Sequence, residues 1–397
     1  MSSSHSFFKD KRPWSRLKDE VLKAYLVPYL AKVARTRKPI IIADCFAGKG
    51  RFDDGEPGSP LIIAEAISHQ LSDATSPEIK GVFIEKKYFK ELAANVPNSP
   101  WLTPLEGGYE DRIEFFIQKY EPRNRNLLLY VDPYGIKSVL FSYFERIQQK
   151  GFNSVELLLN LNAFGFLREG CRLLKNPDSE TETPDYYEAD VNTPERLDEI
   201  AGGDYWRRIV DDYYAKRIRM QEAEERFIAQ YCERLKKVFH YVVNIPIKAK
   251  LNNIPKYRIV YGTNHADGLL LMVDNMNKRW ADFRADARNQ QSPLFECDFP
   301  DPSKQKDCWN IDDKICSYID CEIGLRELLE RLVQDLGISF STSEYKDHLK
   351  KMENDRIVVT RVPPTTATGK QSKSWDHTSK ELTIKISRKE QWQPPLL

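Results

Sequence analysis

Residues 40–50 read IIIADCFAGKG. Ile40 to Ala43 form an apolar run long enough for a short buried strand. It ends in Asp44, and Phe46-Ala47-Gly48-Lys49-Gly50 then turns the chain sharply. Gly48 and Gly50 tolerate φ > 0 and let a backbone approach a ligand closely, as nucleotide-type cofactors require. A strand, a small-residue loop and an acid at the strand end predict the first βα turn of a Rossmann-like sheet. Such turns are common in α/β proteins, so the segments that follow must carry the rest.

Residues 81–85 (GVFIE) form a second apolar strand that ends in Glu85, and a carboxylate there can accept both hydroxyls of a ribose. Glu85 lies about 35 residues beyond Gly50, more than the ~20 usual for dinucleotide sites. Residues 51–60 (RFDDGEPGSP) account for the excess as a loop inserted before the first crossover helix at 61–70. A third apolar run, 126–131, ends in Asp132-Pro133-Tyr134-Gly135. Strand ends bearing acid, Gly and Pro are where an open α/β sheet holds its ligand. Each piece also has a plainer reading: Asp132 as a helix cap, Glu85 as a solvated loop acid.

Outward from this core, a chain of 397 residues has room for two or three domains. The 41% hydrophobic and 30% charged content suits a soluble globular protein, and no run approaches the ~18 apolar residues of a membrane span. The N-terminus, MSSSHSFFKDKRPW, shows no apolar signal-peptide core, which leaves a cytoplasmic location as the expectation. Seven cysteines in so long a chain fit reduced thiols. Residues 1–38 hold ten Lys/Arg against three acids, and residues 341–397 eleven against seven, so the middle is acidic overall. Basic ends permit phosphate contact, though on a near-neutral chain they read equally as solvated surface.

Residues 15–34 show helical spacing of Leu17, Val21, Leu22, Tyr25, Leu26 and Leu30, with Pro28 inside. Strands near 40–44, 81–85, 101–105, 126–131 and 154–161 then alternate with helices near 61–70, 87–95, 110–120 and 138–150. This is the rhythm of a parallel sheet covered on both faces. Residues 155–161 (VELLLNL) read as an unbroken apolar strand, consistent with a central position. The rhythm stops after Asn162: residues 165–238 form an insertion with two helices and much charge. Strands at 240–247 and 257–263 and a helix at 268–285 follow. Residues 288–322 read as a linker. Residues 323–397 give helix, helix, strand, polar turn, strand, the order of a winged helix. The domains expected are a basic helical segment (1–38), a Rossmann-like domain (39–287) with its insertion, the linker, and the winged-helix-like domain.

Taken together, Asp44-x-Phe46-Ala47-Gly48-x-Gly50, Gly58-Ser59-Pro60, Asp132-Pro133-Tyr134-Gly135, Asn160 with Arg168, and Tyr257-x-Ile259-Val260-Tyr261-x-Thr263-Asn264 occur in that order. This resembles the three-Cys-motif partner family (TcmP) over about residues 10–285. The family is similar to class I S-adenosylmethionine-dependent methyltransferases, whose sheets close with a late hairpin containing one antiparallel strand. The resemblance implies S-adenosylmethionine as cofactor and a separate three-cysteine, radical-SAM-type protein as partner. By position, Asp44, Phe46, Gly48 and Gly50 would line the methionine and ribose side of the donor. Glu85 would hold the ribose, and the segment from Glu106 to Tyr109 would flank the adenine. Asp132 and Tyr134 would act on the methyl acceptor, with Pro133, Gly135, Asn160 and Arg168 around it. The pattern resembles the DPPY-type motif of nucleic-acid amino methyltransferases, but Tyr134 stands one place early and Gly135 occupies the aromatic position.

Cys297, Cys308, Cys316 and Cys321 lack any CxxC pair, so buried thiols are expected and no metal site. A kinase P-loop does not fit, because GKG is not GK[ST]. The expectation is a methyltransferase with an unidentified acceptor, nucleic acid foremost. Lys346, Lys350, Lys351, Arg361, Lys370 and Lys373 would form the DNA or RNA face. The alternatives are a non-catalytic adapter on the same fold and a nuclease-like hydrolase.

Overall fold

The computed structural model describes residues 13–119, 123–133, 135–136, 139–175, 193–248, 253–289, 310–319, 322–355, 359–362, 369–370, 375–376 and 382–386. The chain divides into two compact units, Met1–His265 and Ala266–Leu397.

The first unit is built on a seven-stranded sheet of order β3-β2-β1-β4-β5-β7-β6. The strands are β1 (Ile40–Asp44), β2 (Ile79–Glu85), β3 (Leu102–Glu106), β4 (Asn126–Val131), β5 (Ser154–Leu161), β6 (Tyr241–Ile247) and β7 (Tyr257–Thr263). The first five pair in parallel, and β7 runs antiparallel to both β5 and β6. Chain order reverses between β1 and β4, which makes that gap the switch point of the sheet. β6 and the reversed β7 form a late hairpin that closes one edge of the sheet.

Strand side chains alternate between the two faces of the sheet, and each face has its own cover. Ile41, Ala43, Leu127, Leu129, Val155, Leu157 and Leu159 share one apolar core with helices α4 (Tyr109–Lys119), α5 (Phe141–Gln149), α6 (Ala163–Lys175), α7 (Pro194–Ala201), α8 (Tyr205–Tyr214) and α9 (Met220–Leu235). Residues 165–238 therefore hold more helix than the charge-rich sequence suggested. Phe166, Trp206, Phe227, Tyr231 and Leu235 place their apolar stripes in the core beside the sheet. Glu224 of α9 is fully buried, and Arg258 of β7 satisfies both its oxygens, at 2.9 and 2.6 Å. That geometry is what a buried carboxylate requires.

The opposite face meets helix α1 (Pro13–Ala34), which packs beside α2 (Ser59–Leu71); α3 (Phe89–Asn95) follows β2. Leu17, Val21, Leu22, Tyr25, Leu26 and Leu30 of α1 are all buried, as their spacing predicts. Two polar groups of α1 sit in the same stripe: Lys18 bonds Asp132, and the Tyr25 hydroxyl bonds Glu156. Tyr25 also meets Tyr261 hydroxyl to hydroxyl at 2.6 Å. The seven residues from Lys18 to Tyr25 span about two helical turns, which puts both side chains on one face of α1. The apolar reading of residues 155–161 thus needs correcting at Glu156, which is buried but hydrogen-bonded.

In the second unit, α10 (Ala266–Asn289), α11 (Ile311–Ser317), α12 (Leu325–Leu336) and α13 (Thr342–Asn354) accompany a small antiparallel sheet, β8-β10-β9. Its strands are β8 (Glu322–Gly324), β9 (Val359–Val362) and β10 (Thr383–Ile386). The helix α10, expected to end the first domain, groups with this unit, and α11 falls within the stretch expected as linker. A capping box of Ser341 and Glu344 starts α13, and Asp274 of α10 accepts from the Thr342 amide and hydroxyl, both at 2.6 Å. Leu328, Leu329, Leu332, Val333, Tyr345 and Leu349 fill the core of the unit. Among the described residues no helix is long and apolar enough to cross a membrane.

Burial raises the Glu156 carboxyl from near 4.5 to about 7, against the opposing pull of its bonds to Tyr25 and Tyr261. The folded state therefore favours the protonated acid. Its contribution is full at low pH and is lost progressively as pH rises from about 4.5 to about 7. Glu156→Gln should flatten that slope and stabilise the protein at pH 8 by on the order of 3 kcal/mol relative to pH 5. Denaturant midpoints at the two pH values measure this; parallel pH profiles for parent and variant would place the carboxylate in solvent.

Candidate functional site at the strand ends

The β1 loop closes on itself before it offers anything to a ligand. Asp44 is fully buried; it accepts from the Ser59 hydroxyl at 2.6 Å and the Phe46 amide at 3.2 Å. Burial raises its carboxyl to about 7, those two bonds pull it down, and the charges of Asp132 and Glu85 push it up again. Ser59 opens α2, so the Gly58-Ser59-Pro60 motif ties the first crossover helix to the end of β1. Residues 51–58 form a side loop closed at its base by the Gly58 amide on the Gly50 carbonyl at 2.9 Å. Gly48 and Gly50 have φ of +61° and +79°, a left-handed conformation that a β-carbon would strain.

Glu85 fastens the loop from the neighbouring strand. One oxygen accepts from the Gly48 amide at 2.8 Å; the other accepts from the amides of Lys87 and Tyr88 at 2.8 and 3.0 Å. The ring of Phe46 lies 5.4 Å from that of Tyr109, which is buried and meets Tyr143 edge-on. The side chain of Glu106 is exposed, and its carbonyl accepts from Arg112. Of the segment expected beside adenine, Tyr109 thus belongs to the core and Glu106 to the surface.

Across the switch point, Asp132 follows β4. Lys18 donates to its Oδ2 at 2.6 Å and Asn160, near the end of β5, donates to its Oδ1 at 2.9 Å. The other amide atom of Asn160, Oδ1, is buried without a hydrogen-bond partner among the described residues. Pro133 is buried, and Gly135 turns the chain with a φ of +94°. Tyr134 lies outside the described residues. Arg168 is exposed on α6 with its guanidinium 5.9 Å from the Phe164 ring centre, and it makes no bond to Asp132 or Asn160. Asp44, Glu85, Asp132 and Asn160 therefore assemble at adjacent strand ends, while Arg168 stands apart.

Sequence reasoning missed Lys18. It counted this lysine among the basic residues of the N-terminus, yet its position in the stripe of Val21, Leu22 and Tyr25 marks a buried cation that needs an anionic partner. The expected DNA or RNA face is mixed. Lys351 and Lys370 are exposed, Lys350 pairs with Asp347 at 2.8 Å, and Lys346 is half-buried. The side chain of Arg361 and all of Lys373 lie outside the described residues. Cys316 is a buried free thiol whose pKa burial pushes up to about 11; Cys297, Cys308 and Cys321 lie outside the described residues. Among the described residues no group of His, Cys, Asp and Glu could hold a metal ion.

No protein-family pattern matches the chain, and no curated protein does. Solved structures resemble it at low levels. A spermidine synthase in complex with the transition-state analogue AdoDATO is 10% identical with a TM-score of 0.30, over 66% of this chain and 63% of that one. A probable spermidine synthase from Corynebacterium glutamicum is 10% identical over 72% and 83%, TM-score 0.33. Loganic acid methyltransferase with SAH is 9% identical over 99% of both chains, TM-score 0.30.

Removing the Glu85 carboxylate leaves three loop amides without their acceptor. Glu85→Ala should lower stability by about 1–3 kcal/mol and speed hydrogen exchange at the Gly48 amide. A denaturant midpoint equal to the parent's would mean that water serves these amides equally well.

Proposed function

We propose that this protein transfers a methyl group from S-adenosylmethionine to a nucleic-acid acceptor. One observation carries the reading: Glu85 ends β2, Asp44 ends β1 and Asp132 follows β4, three adjacent strands at the point where strand order reverses. Open α/β sheets bind their ligands in that crevice.

The residues there fit such a donor. Gly48 and Gly50 hold the left-handed conformation that lets the loop turn at the end of β1, beside the crevice. Glu85 has about four lone-pair sites, of which three amides take one each, so one is open to a ribose hydroxyl. Holding both hydroxyls would exchange the Gly48 amide for the second, which makes donor binding a remodelling of the loop. S-adenosylmethionine supplies a methyl carbon activated by a positive sulfur, which leaves neutral with the bonding electron pair while the acceptor gives up its proton to water. Asp132, with each oxygen already holding one donor, orients the acceptor by accepting a further hydrogen bond. Orientation of this kind is the main contribution a protein can make to a single displacement.

A nucleic-acid acceptor is supported by the order of elements from α11 onward, helix, strand, helix, helix, strand, strand, which fits a winged-helix reading of the second unit. The exposed Lys351 and Lys370 offer phosphate contacts. The Lys350–Asp347 pair favours a second reading, in which this surface contacts protein. The resemblance to the three-Cys-motif partner family supports a radical-SAM-type protein as that partner.

Calorimetry tests the donor: the parent should bind S-adenosylmethionine and S-adenosylhomocysteine, and Gly48→Val should abolish both without unfolding the sheet. Equal affinity in that variant would remove the loop from the site. Anisotropy titrations with duplex DNA and with RNA at two salt concentrations test the acceptor. Lys351→Ala should reduce the dependence of log affinity on log salt by about 0.9 for duplex DNA. No binding at low salt would make protein contact the better reading.

A further inference from the structure

The Lys18–Asp132 pair sits where few ion pairs are needed for stability. Lys18 is 6% exposed, whereas the Asp132 side chain keeps 24% of its surface open. The cation is thus sealed under α1 and the carboxylate keeps an edge toward the strand-end crevice. The ammonium also lies 4.9 Å from the centre of the Tyr257 ring, a second favourable environment for positive charge. Helix α1 is already anchored by Leu17, Val21, Leu22 and the Tyr25–Glu156 bond. A buried ion pair adds little over apolar packing, so anchoring alone is a weak reason for a lysine here. Asp44 ends β1, the strand paired with β4, which Asp132 follows.

We propose that Lys18 is a positioning residue of the methyl-donor crevice: it is the counter-charge that keeps the Asp132 side neutral toward a cationic donor. The inference rests on the methyl-transfer reading above. A bare carboxylate beside a sulfonium would stabilise the ground state, and that attraction fades as the positive charge disperses on the way to the transition state. Interactions stronger in the ground state than in the transition state slow a reaction. With Lys18 bound to Oδ2, Asp132 still accepts a hydrogen bond from the acceptor but no longer holds the cation of the donor. Asn160 on Oδ1 fixes the plane of the carboxylate without altering its charge.

The test compares two ligands that differ in charge at sulfur: cationic S-adenosylmethionine and neutral S-adenosylhomocysteine. In calorimetry on the full chain, Lys18→Met should tighten the first relative to the second by about fivefold, the effect of one uncompensated charge several ångströms away. Lys18→Arg should leave the ratio at the parent value. Asp132→Asn, which strands the lysine charge, should move the ratio the opposite way, and combining it with Lys18→Met should restore it. Should Lys18→Met fail to fold, the Asp132→Asn and Lys18→Arg variants still decide the point. Ratios unmoved in Lys18→Met and Asp132→Asn, with both ligands bound, would make the pair a structural clamp and overturn this inference alone. A parent that binds neither ligand would overturn the methyl-transfer reading and this inference together.

Discussion

Helix α1 is packed against the sheet by its apolar stripe, and two polar contacts within that stripe fix its register beside the strand-end crevice. Lys18 reaches Asp132 beyond β4 and Tyr25 reaches Glu156 in the middle of β5. A residue seven places on in a helix returns to almost the same face, so both contacts need that one face of α1 to lie over β4 and β5. Were α1 rotated by one residue, Lys18 would leave Asp132 and Glu156 would lose its donor. The apolar stripe around Leu17, Val21 and Leu22 supplies most of the burial energy, and the polar pair selects the register.

The same logic of few but obligatory polar contacts governs the loops. Asp44 braces the β1 loop through Ser59 and Phe46, and Glu85 braces it from β2 through Gly48. Both acids lie at strand ends where a ligand would be expected, and both are occupied with backbone and hydroxyl donors. Under the proposed function, a donor whose ribose is held by both hydroxyls would have to exchange one of those bonds. This links the stability of the loop to the binding it is read to perform.

Two buried carboxyls, Asp44 and Glu156, are both raised to about 7 by desolvation. Asp44 sits at the base of the β1 loop and Glu156 under α1. Charging either one costs the folded state through desolvation, while the bonds from Ser59 and Phe46 to the first and from Tyr25 and Tyr261 to the second favour the charged form and offset part of that cost.

Much of the framework could be read from the sequence because local patterns encode it. The apolar runs at 40–44, 126–131, 154–161 and 257–263 coincide with strands at those bounds, and the Asp44-to-Gly50 and Asp132-Pro133 signals lie at strand ends. Periodicity and turn residues are local properties of a chain, so they survive without the fold. The helices of residues 165–238 were only half legible, since charged outer faces masked narrow apolar stripes. What tertiary structure alone decided were the pairings across more than a hundred residues: Lys18 with Asp132, Tyr25 with Glu156 and Tyr261. A lysine in an apolar stripe says that a partner must exist, because a buried charge without one is too costly. Which carboxylate serves is set by the crossing of α1 over β4 and β5, and no spacing in the sequence records that crossing.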